Sequence, residues 1–168
     1  MKLDARIDAA VRRLQRLEVV IARGDAPWVG QLEASQGIRL PDAYRSLVAR
    51  YRFPSFAIGP VDLFGNEGQD LHSDITRAPF ADAIIATWMA RTGYFQIGRS
   101  SCGSYDPIAV RQSSRGPGRD PSAVARFCHE SILMEASDVP IIEQWPSFLD
   151  LLEDDPLEEM LLSASREG

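Results

Sequence analysis

The hydrophobic spacing of this chain changes once, near Arg52–Pro54, and that change limits the fold more than any other feature. Before it, apolar residues recur at helical intervals. Leu3, Ile7, Ala10, Val11, Leu14, Leu17 and Ile21 fall on one stripe at 3.6-residue spacing. Asp4 and Asp8 stand near the start of that stripe, and Arg12, Arg13, Arg16 and Arg23 toward its end, the order a helix dipole favours. Gly24 is the expected stop, so residues 1–24 read as an amphipathic helix with Arg12, Arg13 and Arg16 in solvent. A second helix is expected from Asp25 to Gly37, with Trp28, Val29 and Leu32 inward. A third starts near Pro41, places Tyr44, Leu47, Val48 and Tyr51 on one face, and stops at Pro54.

After the change, short apolar runs alternate with Gly and Pro. Residues 55–58 and 61–64 are expected strands around a Gly59-Pro60 turn, and residues 66–70 a loop. Pro79 opens an inserted helix with Phe80, Ile84, Ile85 and Trp88 inside and Gly93 at its end. Residues 94–97, 107–111 and 123–128 read as neighbouring strands, the last two a hairpin across a Gly/Pro/Ser/Arg loop at 113–121. Residues 132–134 and 140–142 are weaker strand candidates, and the tail is helical from Phe148, with a break at Pro156. Helices first, then strands with one inserted helix, then helices again give an α+β fold: N-terminal helices packed on a mostly antiparallel mixed sheet, with C-terminal helices.

A length of 168 residues is one domain, residues 1–168, ending in an acidic helix or tail at 154–168. No apolar run approaches the ~20 residues of a membrane helix, and the N-terminus has no signal-peptide pattern, so a cytoplasmic location and no membrane partner are expected. Cys102 and Cys128 lack metal spacing and are expected as free thiols, with neither a metal nor a cofactor site. Eighteen basic and 24 acidic residues give a net charge of −6, unevenly spread. Residues 1–52 hold 10 bases and 6 acids; residues 53–168 hold 8 and 18. That balance disfavours nucleic acid and favours a basic partner.

The chemistry-bearing residues are few. Ser100, Ser101, Cys102 and Ser104 share one turn, and His129 follows on an expected strand, so a Cys–His or Ser–His pair oriented by Asp106 can be drawn. The run Gly98-Arg99-Ser100-Ser101-Cys102-Gly103 is neither a nucleophile elbow nor a phosphate loop, and the plainer reading is a polar β-turn. Asp150, Glu153, Asp154, Asp155, Glu158 and Glu159 run without an intervening base. They form either a solvated helix face or a docking strip for a basic protein. Most aromatics fit core packing; Tyr105, on a turn tip, does not.

The stretch Gly37-Ile38-Arg39-Leu40-Pro41-Asp42-Ala43-Tyr44 resembles the SUKH superfamily of cell-wall assembly regulator-like domains, whose Leu-Pro-x-x-Tyr helix start it carries. Val29-Gly30-Gln31-Leu32-Glu33 is similar to the short helix that precedes that motif. Residues 93–98, Phe127-Cys128-His129-Glu130 and Pro146–Leu152 resemble later family segments, so the similarity spans about residues 28–153. The chain departs from the family at Tyr51–Pro54, where an Asn-Gly often stands, and at Ser101–Asp106, where the family turn is rich in Gly and Asp. The resemblance implies helices packed on a mixed sheet and a non-enzymatic binding protein. Many bacterial members are immunity proteins that neutralise toxins, often nucleases; others are regulatory modules. A small Cys/Ser hydrolase is the remaining alternative. Charge placement and resemblance together nominate Arg99, Tyr105, Asp106, His129, Glu130 and the acidic run from Asp150 as one partner-binding side, facing a basic toxin domain.

Overall fold

A computed structural model describes residues 2–67, 74–113 and 123–153. The expected loop at 113–121 and tail at 154–168 lie largely or wholly outside these residues.

Helix α1 (Leu3–Arg16) buries Ile7, Ala10, Val11 and Leu14 and packs on α3 (Asp42–Arg50) and α7 (Phe148–Glu153). It ends eight residues before Gly24, the expected stop. The Glu18 N–H donates to the Gln15 carbonyl and the Val19 N–H to the Leu14 carbonyl, while Glu18 takes a left-handed φ of 63°. This is a Schellman closure with glutamate where glycine is usual. Ile21 still reaches the core, but from extended chain. Arg12 and Arg16 are exposed and Arg13 is half-buried.

Helix α2 (Trp28–Gln36) starts later than expected. The chain before it is held straight: β1 (Ala22–Arg23) pairs antiparallel with β2 (Tyr51–Arg52). The Gly24 and Ala26 N–H groups donate to the Arg50 and Ala49 carbonyls. That small sheet was not expected from sequence, where Tyr51 read as helical. Gly37 closes α2 in the left-handed conformation, as expected.

Six strands follow in spatial order equal to chain order: β3 (Phe56–Ile58), β4 (Val61–Leu63), β5 (Tyr94–Ser100), β6 (Pro107–Arg111), β7 (Val124–Phe127) and β8 (Ile141–Trp145). Every pairing among the described residues is antiparallel, so the sheet is a meander rather than mixed. Gly98 sits where the β5–β6 register shifts, and a Cβ there would run into the Asp62 carbonyl. After β4, the short α4 (Asp74–Arg77) and one 3-10 turn (Ala78–Phe80) lead to α5 (Ala83–Thr92).

The sheet lies between two helical layers. On one face Ile108, Val110 and Val124 join the core of α1, α2, α3 and α7. On the other, Ala109, Ala125 and Phe127 meet Met89 of α5 and Ile132 of α6 (His129–Leu133). The inserted helix α5 begins at Ala83, not Pro79. The Asp82 carboxylate accepts the Ile84 and Ile85 N–H groups and fixes the start there. Phe80 and Ile84, expected inside, are exposed. Buried Asn66 ties the layers together: its Oδ1 accepts the Phe53 N–H, and its Nδ2 donates to the Val48 and Tyr51 carbonyls.

Candidate partner-binding surface

The turn between β5 and β6 is organised around Asp106, which is 4% exposed. Its Oδ2 accepts hydrogen bonds from Ser104 Oγ (2.7 Å) and from Arg126 Nη2 (2.8 Å) and Nε (3.1 Å). Its Oδ1 accepts the His129 backbone N–H (3.1 Å) and faces His129 Nδ1 at 3.0 Å. An ionised carboxylate only accepts, so Nδ1 carries the hydrogen. Burial raises the Asp106 pKa, but the donors from His129, Ser104 and Arg126 outweigh it and hold the carboxyl at about 2. The cluster is structural as well as electrostatic. Cys128, which precedes α6, offers no side-chain cap, and Asp106 from the β5–β6 turn supplies one.

Residues 129–133 thus form a capped helix where sequence reading expected strand. The residue that caps it lies 23 positions away.

Cys102 is exposed beside this cluster. Ser100 Oγ lies 2.8 Å from its sulfur, Ser104 Oγ 3.7 Å away, and Arg126 Nη2 donates to it at 3.5 Å. The hydroxyls of Ser100 and Ser104, with the Arg126 charge, lower the thiol to about 7. Cys102 and Cys128 are both free thiols. Ser101 Oγ instead donates to the Gly59 carbonyl. Among the described residues no hydrogen bond joins His129 to Ser101 or Cys102. The described hydrogen bonds of His129 go to Asp106. Nor do three His, Cys, Asp or Glu side chains converge as a metal-ligand set among the described residues.

The nominated side splits in two. Tyr105 is 66% exposed with a left-handed φ of 57°, Arg99 is exposed across the ladder from Asp62, and Glu130 is exposed on α6. Asp106 is buried, with its carboxylate engaged by Ser104, Arg126 and His129. Asp150 accepts from Ser147 Oγ, which in turn accepts the Asp150 N–H: a capping pair at the start of α7. Glu153 faces Arg6 of α1 at 3.5 Å. The topology separates these from the turn. Phe127 and Ile141 are partners at the turn end of the sheet, whereas Trp145 pairs with Val124 at the other end, from which α7 departs. Asp154, Asp155, Glu158 and Glu159 lie outside the described residues.

What the structure does bring beside Glu130 is a surface that sequence reading missed. Met134 is 82% exposed, Ile141 and Ile142 are 48% each, and Leu133 is 40%. An open groove of about 750 Å3 lies between α5 and the α6 segment, lined by Ile84, Trp88, Arg91, Ile132 and Glu135 among others. From Phe127 to Glu153 the chain carries Glu130, Glu135, Asp138, Glu143, Asp150 and Glu153 and no lysine or arginine. The available signal was the run Ile132-Leu133-Met134: a one-and-a-half-turn helix cannot turn three consecutive apolar side chains inward.

Compared with protein-family models, curated proteins and solved structures, the chain matches none. No described helix is long and apolar enough to cross a membrane.

Proposed function

We propose that this chain is a non-enzymatic protein-binding domain, and most concretely an immunity protein that neutralises a basic toxin domain in the cytoplasm. The observation that carries the reading is the exposure of Leu133, Met134, Ile141 and Ile142 in the α6–β8 stretch, which also carries Glu130, Glu135, Asp138 and Glu143 and no lysine or arginine. Exposed apolar side chains in an acidic stretch suit a protein partner of the opposite sign. A toxin that handles nucleic acid needs a basic face, and an acidic, apolar surface is what would cover it. The resemblance of residues 28–153 to SUKH domains supports the same reading. A regulatory module with a peptide partner would use the same surface and differ in its genetic setting.

The test is to express the products of the genes flanking this one, singly, with and without this chain. One flanking product should arrest growth alone, be tolerated when this chain is present, and co-elute with it in size-exclusion chromatography. If no flanking product is toxic or bound, the immunity reading fails.

A further inference from the structure

We propose that the outer edge of β8 receives an extended cationic segment of the partner protein as an added, seventh strand of the sheet. This rests on the protein-binding reading above and adds where and how the partner is held. The sheet has two outer strands. At one edge β3 has three residues; at the other β8 has five, and among the described residues no strand pairs with its far side. A row of unpaired backbone N–H and C=O groups is a template for another strand. Ile141 and Ile142, each about half exposed, offer an added strand apolar contact at the point where the β7–β8 register shifts.

Charge selects the occupant. Natural edges are commonly guarded by lysine; β8 has none and carries Glu143 instead. Two copies pairing edge to edge through β8 would bring their Glu143 carboxylates close together, which like charges resist. A segment with lysine or arginine at alternate positions turns that repulsion into attraction. Arg126 stands across the ladder from Glu143, but its guanidinium is committed to Asp106. Glu135 and Asp138, in the connection leading into β8, extend the same negative field.

The probe is a short capped peptide of alternating lysine and valine, added to the full chain and followed by amide hydrogen exchange and fluorescence anisotropy. The outward-facing amides among residues 141–144 should exchange about tenfold more slowly with the peptide bound, and binding should weaken as salt rises. Ile142→Lys and Glu143→Lys should each weaken binding about tenfold, with unchanged protection in β6 and β7 showing an intact fold. The inference is overturned if the peptide does not bind, if it binds without protecting β8, or if a glutamate–valine peptide binds equally. It is also overturned if the free chain proves to be a dimer with β8 already protected. The same variants separate this inference from the functional reading. If Ile142→Lys still protects cells from the flanking toxin, the edge is wrong and the function stands. If the wild-type chain protects no cells, the immunity reading is wrong whatever the peptide does.

Discussion

Asp106 is a buried carboxylate that accepts from five donor atoms of three residues: Ser104, Arg126 and His129. Its folded-state pKa of about 2 lies below the ordinary 3.8. Its ionised form therefore stabilises the fold fully above about pH 4, and that contribution is lost as pH falls through about 2, on the order of 2 kcal/mol. Asp106→Asn removes the charge and presents amide hydrogens to donors, leaving the Arg126 guanidinium, 14% exposed, without its counter-charge. We expect it to lose roughly 3–5 kcal/mol at pH 7. Urea titrations should show the gap between wild type and variant narrowing as pH drops from about 4 to 2. Cys102 gives a second expectation. With its thiol at about 7, alkylation by iodoacetamide should reach half its maximal rate near pH 7, more than one unit below an ordinary thiol at about 8.5. Ser100→Ala, which deletes the 2.8 Å neighbour, should move that midpoint upward; an unmoved midpoint would show that the hydroxyl is not what lowers it. Asp106 and His129 were legible in the sequence as a possible pair. Arg126 was not, because its role depends on the register that places β7 beside the β5–β6 turn.

Helix boundaries separate what local chemistry determines from what tertiary contact determines. The apolar stripe of α1 was legible, since Ile7, Val11 and Leu14 sit in the core as spaced. Its end was not. The stripe continues numerically to Ile21, and Gly24 offers a familiar stop, yet the closure is made by Glu18 in a left-handed conformation that costs an L-residue about 1 kcal/mol or more. Glu18→Gly should therefore stabilise the protein, by up to about 1 kcal/mol after the entropy of the unfolded chain is counted. Thermal melts of the two proteins decide it; a lower midpoint for the glycine variant would mean that the glutamate side chain contributes more than its backbone costs. Leu14→Ala, at the buried centre of the stripe, should lose roughly 2–5 kcal/mol. Asp8, by contrast, bonds Arg50 and Tyr51 at a partly exposed rim, and its truncation should cost much less. In α5 the same division holds: Gly93 marked the end correctly, but the start moved from Pro79 to the Asp82 cap. The strand order β5-β6-β7 was legible because consecutive strands tend to pair. The β1–β2 pair was hidden, because its two-residue strands carry no period of their own.

Across the whole molecule the charge divides along the chain. Residues 1–52 hold an excess of four bases, and residues 53–168 an excess of ten acids. The carboxylates Glu130, Glu135, Asp138 and Glu143 belong to the second set, so the proposed basic partner would be drawn toward that side before any contact forms. Long-range attraction of this kind acts on encounter, and salt screens it over about 8–10 Å. Short-range apolar contact acts on departure. The two can be separated by variants at the same surface. Reversing Glu135, Asp138 and Glu143 to lysine removes the field but keeps Met134, Leu133, Ile141 and Ile142. If the proposed immunity function holds, association with the cognate toxin should slow by about tenfold or more at low salt, and its dependence on salt should flatten. Met134→Ala keeps the field and removes the most exposed apolar side chain of the patch, 82% accessible in the free protein. It should leave association nearly unchanged and raise the dissociation rate, if Met134 enters a pocket on the partner. Stopped-flow association and surface-plasmon dissociation at two salt concentrations distinguish these effects. Should the triple reversal associate as fast as wild type, the carboxylates of this stretch are only solvated charge, and the steering has to come from Asp150–Glu159, the strip first suspected from sequence.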